Sequence, residues 1–416
     1  MIQTTVLASG LRVVTERMPD ARSVCVGAWV GVGARDEPAE QSGVSHFLEH
    51  LLFKGTTTRS AKAIAEAVDR VGGEMNAFTT KEYTAYYTRL PAEHLALGVE
   101  LLGDVLTEPA LRDSDVEAER QVILEELLMD ADLLDDRVHV LLAESLFPGH
   151  PLGRETAGEP ATVSAITAEQ VRAFFAEWYR PRNIVVAAAG ALAHDEVVAR
   201  VEDAFARATP GGAAPQRTTP DGRVRPLATM RRRGEQVHLA LGVRGLPRRH
   251  PDREALDVLN HVLGGGMSSR LFDEIREQRG LAYAVYSSAT SYADTGAVMI
   301  YAGTSPARVP EVLALVEAQL DQLVHRGVTD EELAVAKGYL EGAFLLGLED
   351  SASRMARLGG ALSCIGDVRT VDEQVCRYRA VTADDVARVA RALLAGTRSL
   401  AAVGPVTRKE LLAPRG

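Results

Sequence analysis

Apolar and polar positions along this chain follow two rhythms. From Asp115 to Leu134, from Val309 to Leu323 and from Asp330 to Leu348, apolar residues recur at helical spacing, which predicts three long helices. From Glu74 to Arg89 (EMNAFTTKEYTAYYTR) Thr, Tyr and Phe dominate, and the stretch reads as a hairpin of paired strands. Apolar runs at Cys25–Val30, Asn183–Gly190, Val237–Gly242 and Ser399–Gly404 read as short strands. Strands joined by hairpins and followed by helix runs predict an α+β fold with mostly antiparallel sheets packed with helices.

The pattern is written twice. Ile166–Val171 opens a helix that leads to the strand at 183–190, and Val381–Val386 opens another that leads to the strand at 399–404. In both, a Thr at the cap (Thr167, Thr382) precedes acidic residues in the first turn. The two caps lie 215 positions apart, and the strands starting at Cys25 and Val237 lie 212 apart. A near-constant offset across distant pairs points to an internal duplication. The stretch Ala208–Pro215, followed by Pro220-Asp221-Gly222, is rich in Gly, Pro and Ala and marks a linker. The expected division is therefore 1–209, a linker at 210–222, and 223–416.

With 416 residues, 46% hydrophobic and 25% charged, the chain has the make-up of a soluble globular protein of two or more domains. A formal charge of −11 argues against nucleic acid as a partner. The three cysteines, Cys25, Cys364 and Cys376, show no C-x-x-C spacing, which argues against a disulfide framework and suits a reducing compartment. No apolar stretch is long enough to span a membrane. Met1–Thr5 shows neither a signal peptide's basic flank nor a transit peptide's Arg-rich face, so the expected location is the cytoplasm.

The candidate chemistry lies in His46-Phe47-Leu48-Glu49-His50, an H-x-x-E-H string. On a helix His46, Glu49 and His50 share a face. Two imidazoles and a carboxylate on an apolar-backed face are costly to desolvate without a cation, although the string by itself also fits a solvated helix face. A hydrolytic zinc site takes three protein ligands and an open position. The best donor of a third is the acidic helix Glu117–Glu126, where Glu119 and Glu126 stand two turns apart on one face. Val122 and Ile123 between them allow that face to be buried, while Glu125 points into solvent.

His46, Glu49 and His50, followed by Glu126 76 positions after His50, resemble the inverzincin peptidases, a family that includes pitrilysin, insulin-degrading enzyme and mitochondrial processing peptidase. The longer string Gly43–Thr56 (GVSHFLEHLLFKGT) is similar to the short-chain processing-peptidase branch. The resemblance implies that His46, His50 and Glu126 bind Zn2+. It implies that Glu49 is the general base toward a zinc-held water, and that Glu119 hydrogen-bonds a ligand. Arg276 and Tyr283, within Asp273–Tyr283, resemble the family's R-x6-Y signature. By that resemblance Tyr283 donates to the developing oxyanion and Arg276 holds backbone carbonyls; taken alone, the pair reads as a surface arginine and a core tyrosine. Asn76-Ala77-Phe78-Thr79 resembles the edge strand that pairs with an extended substrate, and by itself reads as an ordinary paired strand. Asp136 matches the first of two acids that hold a basic substrate residue in processing peptidases; Val140 stands at the second. The acidic run Asp130, Asp132, Asp135, Asp136 otherwise reads as a solvated face. Leu263–Arg270 (LGGGMSSR) lacks a phosphate loop's ending; the resemblance to the processing-peptidase branch implies a substrate-handling loop here, and by itself the stretch reads as a flexible turn. The second half has no H-x-x-E-H; its counterpart lies near Leu256–His261.

The function so implied is a zinc metalloendopeptidase that hydrolyses short unfolded peptides inside a closed dimeric chamber. Each chain would form half of a clamshell. Both signatures lie on one chain, so a homodimer is the simplest closure, and a heterodimer with an inactive relative stays open. Two alternatives differ in role: a non-catalytic partner subunit, and a protease dedicated to maturing one precursor peptide. His46, Glu49, His50, Glu126, Arg276 and Tyr283 are all present, which argues against the first.

Overall fold

In the computed structural model, which describes residues 1–412, the strands sort into two sheets. The first holds β1 (Ile2–Val6), β2 (Arg12–Arg17), β3 (Ser23–Val30), β4 (Glu74–Thr79), β5 (Thr84–Pro91) and β6 (Ile184–Gly190), in the order β1-β2-β6-β3-β5-β4. The second holds β7 (Leu227–Arg231), β8 (Val237–Gly245), β9 (Ala282–Ser291), β10 (Gly296–Thr304) and β11 (Ser399–Gly404), in the order β7-β11-β8-β10-β9. Pairing is antiparallel except for β2 with β6 and β7 with β11. Without β1, the first order repeats in the second, parallel pair included. The expected duplication is thus visible as strand topology. Sequence and place agree: β6 is an unbroken apolar run buried along its whole length, whereas β4 alternates exposed and half-buried residues at the sheet's edge.

The helices that matter for the site are α1 (Val44–Leu52), α2 (Asp113–Asp132), α3 (Leu134–Leu146), α4 (Ala168–Trp178), α5 (Arg253–Gly264), α6 (Val309–Arg326), α7 (Asp330–Gly347), α8 (Ser351–Cys364) and α9 (Ala383–Leu394). Thr167 and Thr382 cap α4 and α9, each inside a reciprocal capping box. The helix predicted over 115–134 ends at Asp132. Leu133 breaks it with extended ψ, and α3 starts at once.

The compact units are not contiguous pieces of chain. Unit 1 comprises Met1–Leu128, Arg154–Arg217 and Leu345–Thr370; unit 2 comprises Met129–Gly153, Thr218–Phe344 and Val371–Gly416. The helix α3, early in the chain, covers the second sheet, where Val138, Leu142 and Leu146 pack on Ala240, Ala401 and Val403. The helix α8, late in the chain, covers the first sheet, where Met355, Leu358 and Leu362 pack with Trp29, Val185 and Ala187. The Trp29 indole lies against Gly359, where an added Cβ would come within 2.1 Å of the ring. This corrects the division at 210–222 into two unbroken halves. The predicted linker is also held to the rest of the chain, among other places at Arg217. Arg217 donates to both oxygens of Asp36, each at 2.8 Å, and to the Glu82 carbonyl at 2.7 Å.

Candidate metal centre

Helix α1 buries Val44, Phe47, Leu48, Leu51 and Leu52 in the first core, leaving His46, Glu49 and His50 half-buried on its remaining face. Its start depends on Gly43, whose φ is +97° and where a Cβ would meet the Ala157 carbonyl at 2.6 Å. The first turn is capped from a distance. The Glu37 carboxylate accepts the N–H groups of Gly43 and Ser45, both at 2.7 Å. Burial pushes Glu37 up to about 7 against the pull of those two bonds. Sequence reading missed this cap, because Glu37 lies outside the usual cap position.

Helix α2 brings Glu119 and Glu126 to the same place. Donor atoms of His46, His50 and Glu126 all lie within 4.8 Å of one another. The Nε2 atoms of His46 and His50 stand 3.8 Å and 3.7 Å from the two oxygens of Glu126. These separations are too long for hydrogen bonds. They fit a shared ion: donors about 2.1 Å from one zinc in tetrahedral array are about 3.4 Å apart. Among the described residues this is the one such group.

The two imidazoles are held differently. His50 donates from Nδ1 to Glu119 Oε1 at 2.9 Å, leaving the lone pair on Nε2 toward Glu126. The second Glu119 oxygen takes Lys54 Nζ. His46 Nδ1 is buried without a hydrogen-bond partner. Burial, and then the neighbouring His50, push His46 down to about 4, so its ring is neutral and ligand-ready near pH 7. Burial likewise raises Glu49, opposed by a hydrogen bond from the Thr79 hydroxyl to Glu49 Oε2 and by His50, and reinforced by Glu126. The arrangement sets three donors toward one point, with the Glu49 carboxylate on the same helix face.

The remaining expected residues fall as follows. Ile123 is buried, but Val122 is half-exposed at 50%, so only one of the two residues between Glu119 and Glu126 seals that face. Glu125 is exposed, as expected. Asn76 and Phe78 are exposed on the edge strand β4, with Ala77 turned inward. Asp136 is exposed in the first turn of α3, in unit 2. Arg276 and Tyr283 also belong to unit 2, where the guanidinium lies 4.9 Å from the tyrosine ring centre and 4.7 Å from that of Phe272. Tyr283 is 80% exposed, so it is no core tyrosine. His139 and His150 have hydrogen-bond partners in Tyr286 and the Thr218 carbonyl. His261 stacks on Tyr339 instead, 4.2 Å between ring centres. Three supporting residues escaped sequence reading: Glu37, Lys54 and Thr79. The last two lie inside the motif strings, but only contact shows what their polar ends touch. Among the described residues no helix is long and apolar enough to cross a membrane.

Comparison with known proteins agrees with this fold. The model described as insulinase, peptidase family M16, matches residues 12–159, and the one described as peptidase M16 inactive domain matches 165–340. A protein of Streptomyces coelicolor named as an uncharacterized zinc protease is 45% identical over 98% of this chain and 91% of its own length. A zinc protease of Bacillus subtilis, named likewise, is 38% identical over 97% and 98%. Among solved structures, a peptidase M16 inactive domain from Pseudomonas fluorescens aligns with a TM-score of 0.92 at 22% identity, covering 98% of both chains. A protease from Helicobacter pylori aligns at 0.89 and 24%, covering 97% and 99%. The last two share the fold. The fold and the site define a two-unit peptidase architecture of the insulinase type. The chain belongs to the insulinase family, peptidase family M16.

Proposed function

We propose that this protein is a zinc endopeptidase that hydrolyses short, unfolded peptides. The observation that carries the reading is the convergence of His46, His50 and Glu126 with the Glu49 carboxylate alongside. These three residues would hold the ion. When bound, zinc supplies Lewis acidity that polarises a peptide carbonyl and acidifies water. Glu49 accepts a proton from the attacking water and returns it to the leaving amine. Burial that raises Glu49 brings its proton affinity closer to what both transfers need. Glu119 orients His50 through Nδ1.

The open edge of β4 receives the extended substrate by backbone pairing through Ala77, with Asn76 and Phe78 beside it. Tyr283 donates its phenolic hydroxyl to the developing oxyanion and Arg276 holds backbone carbonyls. Asp136 offers an exposed carboxylate to a basic side chain of the substrate. Two copies of the chain close around the peptide as the halves of a clamshell.

The test is metal analysis of the purified protein together with an unbiased peptide-library digest, for wild type and Glu49→Gln. The expected result is about one zinc per chain in both and cleavage by wild type alone. Undiminished cleavage by Glu49→Gln removes Glu49 as the base. A protein that takes up no zinc removes the peptidase reading.

A further inference from the structure

The strand β4 meets Glu49 at Thr79. Met75, Ala77 and Thr79 turn their side chains inward, and Glu74, Asn76 and Phe78 turn theirs to solvent. The backbone of β4 pairs with β5 alone, since β4 ends its sheet. Along an antiparallel pair, hydrogen-bonded and open residue pairs alternate. Thr80 N–H donates to the Tyr83 carbonyl at 2.9 Å. Counting back along the register from that closed pair, Thr79 and Ala77 stand in open pairs and turn their N–H and C=O groups to the free edge. The Ala77 N–H accords with this, donating to Asn76 Oδ1 at 2.8 Å.

The Thr79 side chain points the other way, and its hydroxyl donates to Glu49 Oε2. The turn that follows is pinned. Ala34 N–H donates to the Thr80 carbonyl at 3.0 Å and Arg35 N–H to the Lys81 carbonyl at 2.8 Å. The Arg35 guanidinium donates to Glu82 at 2.7 Å, with both side chains almost wholly buried. Thr79 is therefore held from behind, and it touches both the base and the strand edge.

We propose that Thr79 is a positioning residue that couples the substrate-binding edge to Glu49, its hydroxyl holding the carboxylate while its backbone receives the extended chain. The proposal rests on the peptidase reading above. One residue then sets the distance between the bound backbone and the base, so a peptide paired along Ala77 and Thr79 arrives in register with Glu49. A carboxylate without this anchor samples more orientations, and the proportion aimed at the reacting water falls.

The test uses Thr79→Val, which keeps the branched shape and removes the hydroxyl, and Thr79→Ser, which keeps the hydroxyl. Both are made in the full chain, with zinc content and thermal unfolding measured beside kcat and KM on a peptide taken from the library digest. The expected result for Thr79→Val is a kcat lower by about tenfold to a hundredfold, with KM within about threefold and zinc content unchanged. Thr79→Ser recovers most of that loss, and Thr79→Val subtracts nothing further from the residual turnover of Glu49→Gln. The proposal is overturned by a Thr79→Val kcat within about twofold of wild type, or by a folded, zinc-loaded Thr79→Ser that recovers nothing. If wild type cleaves no peptide, the peptidase reading fails, and crystal structures of the two variants decide the Thr79 part alone. Glu49 displaced in Thr79→Val but not in Thr79→Ser supports it; Glu49 in place in both overturns it.

Discussion

Helices α1 and α5 follow equivalent strands, β3 and β8, in two copies of one sheet order, yet their polar residues are used in opposite ways. On α5, Glu254 is taken by Arg377 in two bonds of 2.8 Å, Asp257 by Arg253, and His261 by the ring of Tyr339. Glu254, Asp257 and His261 are each engaged by a different neighbour, and among the described residues they form no converging donor group. On α1, His46, Glu49 and His50 face one side, and α2 adds Glu119 and Glu126. The helix matching α2 in the second unit is α7, which starts 217 positions later. At that offset Ala336 and Ala343 stand where Glu119 and Glu126 stand. A duplicated frame thus carries one set of donors. A few side-chain identities on two helices separate the half whose donors converge from the half whose donors do not.

The sharpest way to break the comparison is to delete a donor on each side. Glu126→Gln is expected to lose bound zinc and to lower turnover by about a thousandfold or more. His261→Ala, on α5, the counterpart of α1, keeps both and costs only about 1 kcal/mol of stability. Zinc analysis and peptide hydrolysis read the contrast, and equal losses in the two variants would dissolve it. Tyr283→Phe tests whether the second unit contributes at all. Turnover should fall by about tenfold to a hundredfold with zinc content unchanged, and full activity would confine the chemistry to the first unit. Glu119→Ala should weaken zinc binding by about tenfold to a hundredfold in a chelator competition. An unchanged affinity would mean that His50 needs no orienting partner.

The smallest effect is a pH dependence in the metal-stripped protein. Unfolded His46 takes up a proton near its ordinary value of 6.5, whereas folded His46 does so only near 4. Between those values the unfolded state binds more protons. The contribution of His46 is therefore fully present above pH 6.5 and is lost as pH falls toward 4. It amounts to about 1–3 kcal/mol. Denaturant unfolding of wild type and His46→Gln across that window should show a steeper decline for wild type, and parallel curves would refute the assignment.

Much of the candidate site was legible because helical geometry is local. A spacing of i, i+3 and i+4 puts His46, Glu49 and His50 on one face whatever surrounds the helix, and two full turns align Glu119 with Glu126. Exposure was less legible. Val122 lies between two inward-facing acids and still reaches solvent, since which flank of α2 is covered depends on what packs there. Glu37 could not be read as the cap of α1, because an intervening turn brings it back to the helix start.

Sequence alone determined the repeated strands, the capped helices and the side chains able to meet at one helix face, because periodicity, capping and spacing act over a few residues. Only the tertiary structure decided that α3 and α8 each cover the sheet built mainly from the other half of the chain. It also decided that Thr79 meets Glu49 and that Lys54 meets Glu119. An apolar helix face fits many sheet surfaces, and a hydroxyl or an ammonium many carboxylates. The choice among them is made by packing across long stretches of chain, which no local pattern records.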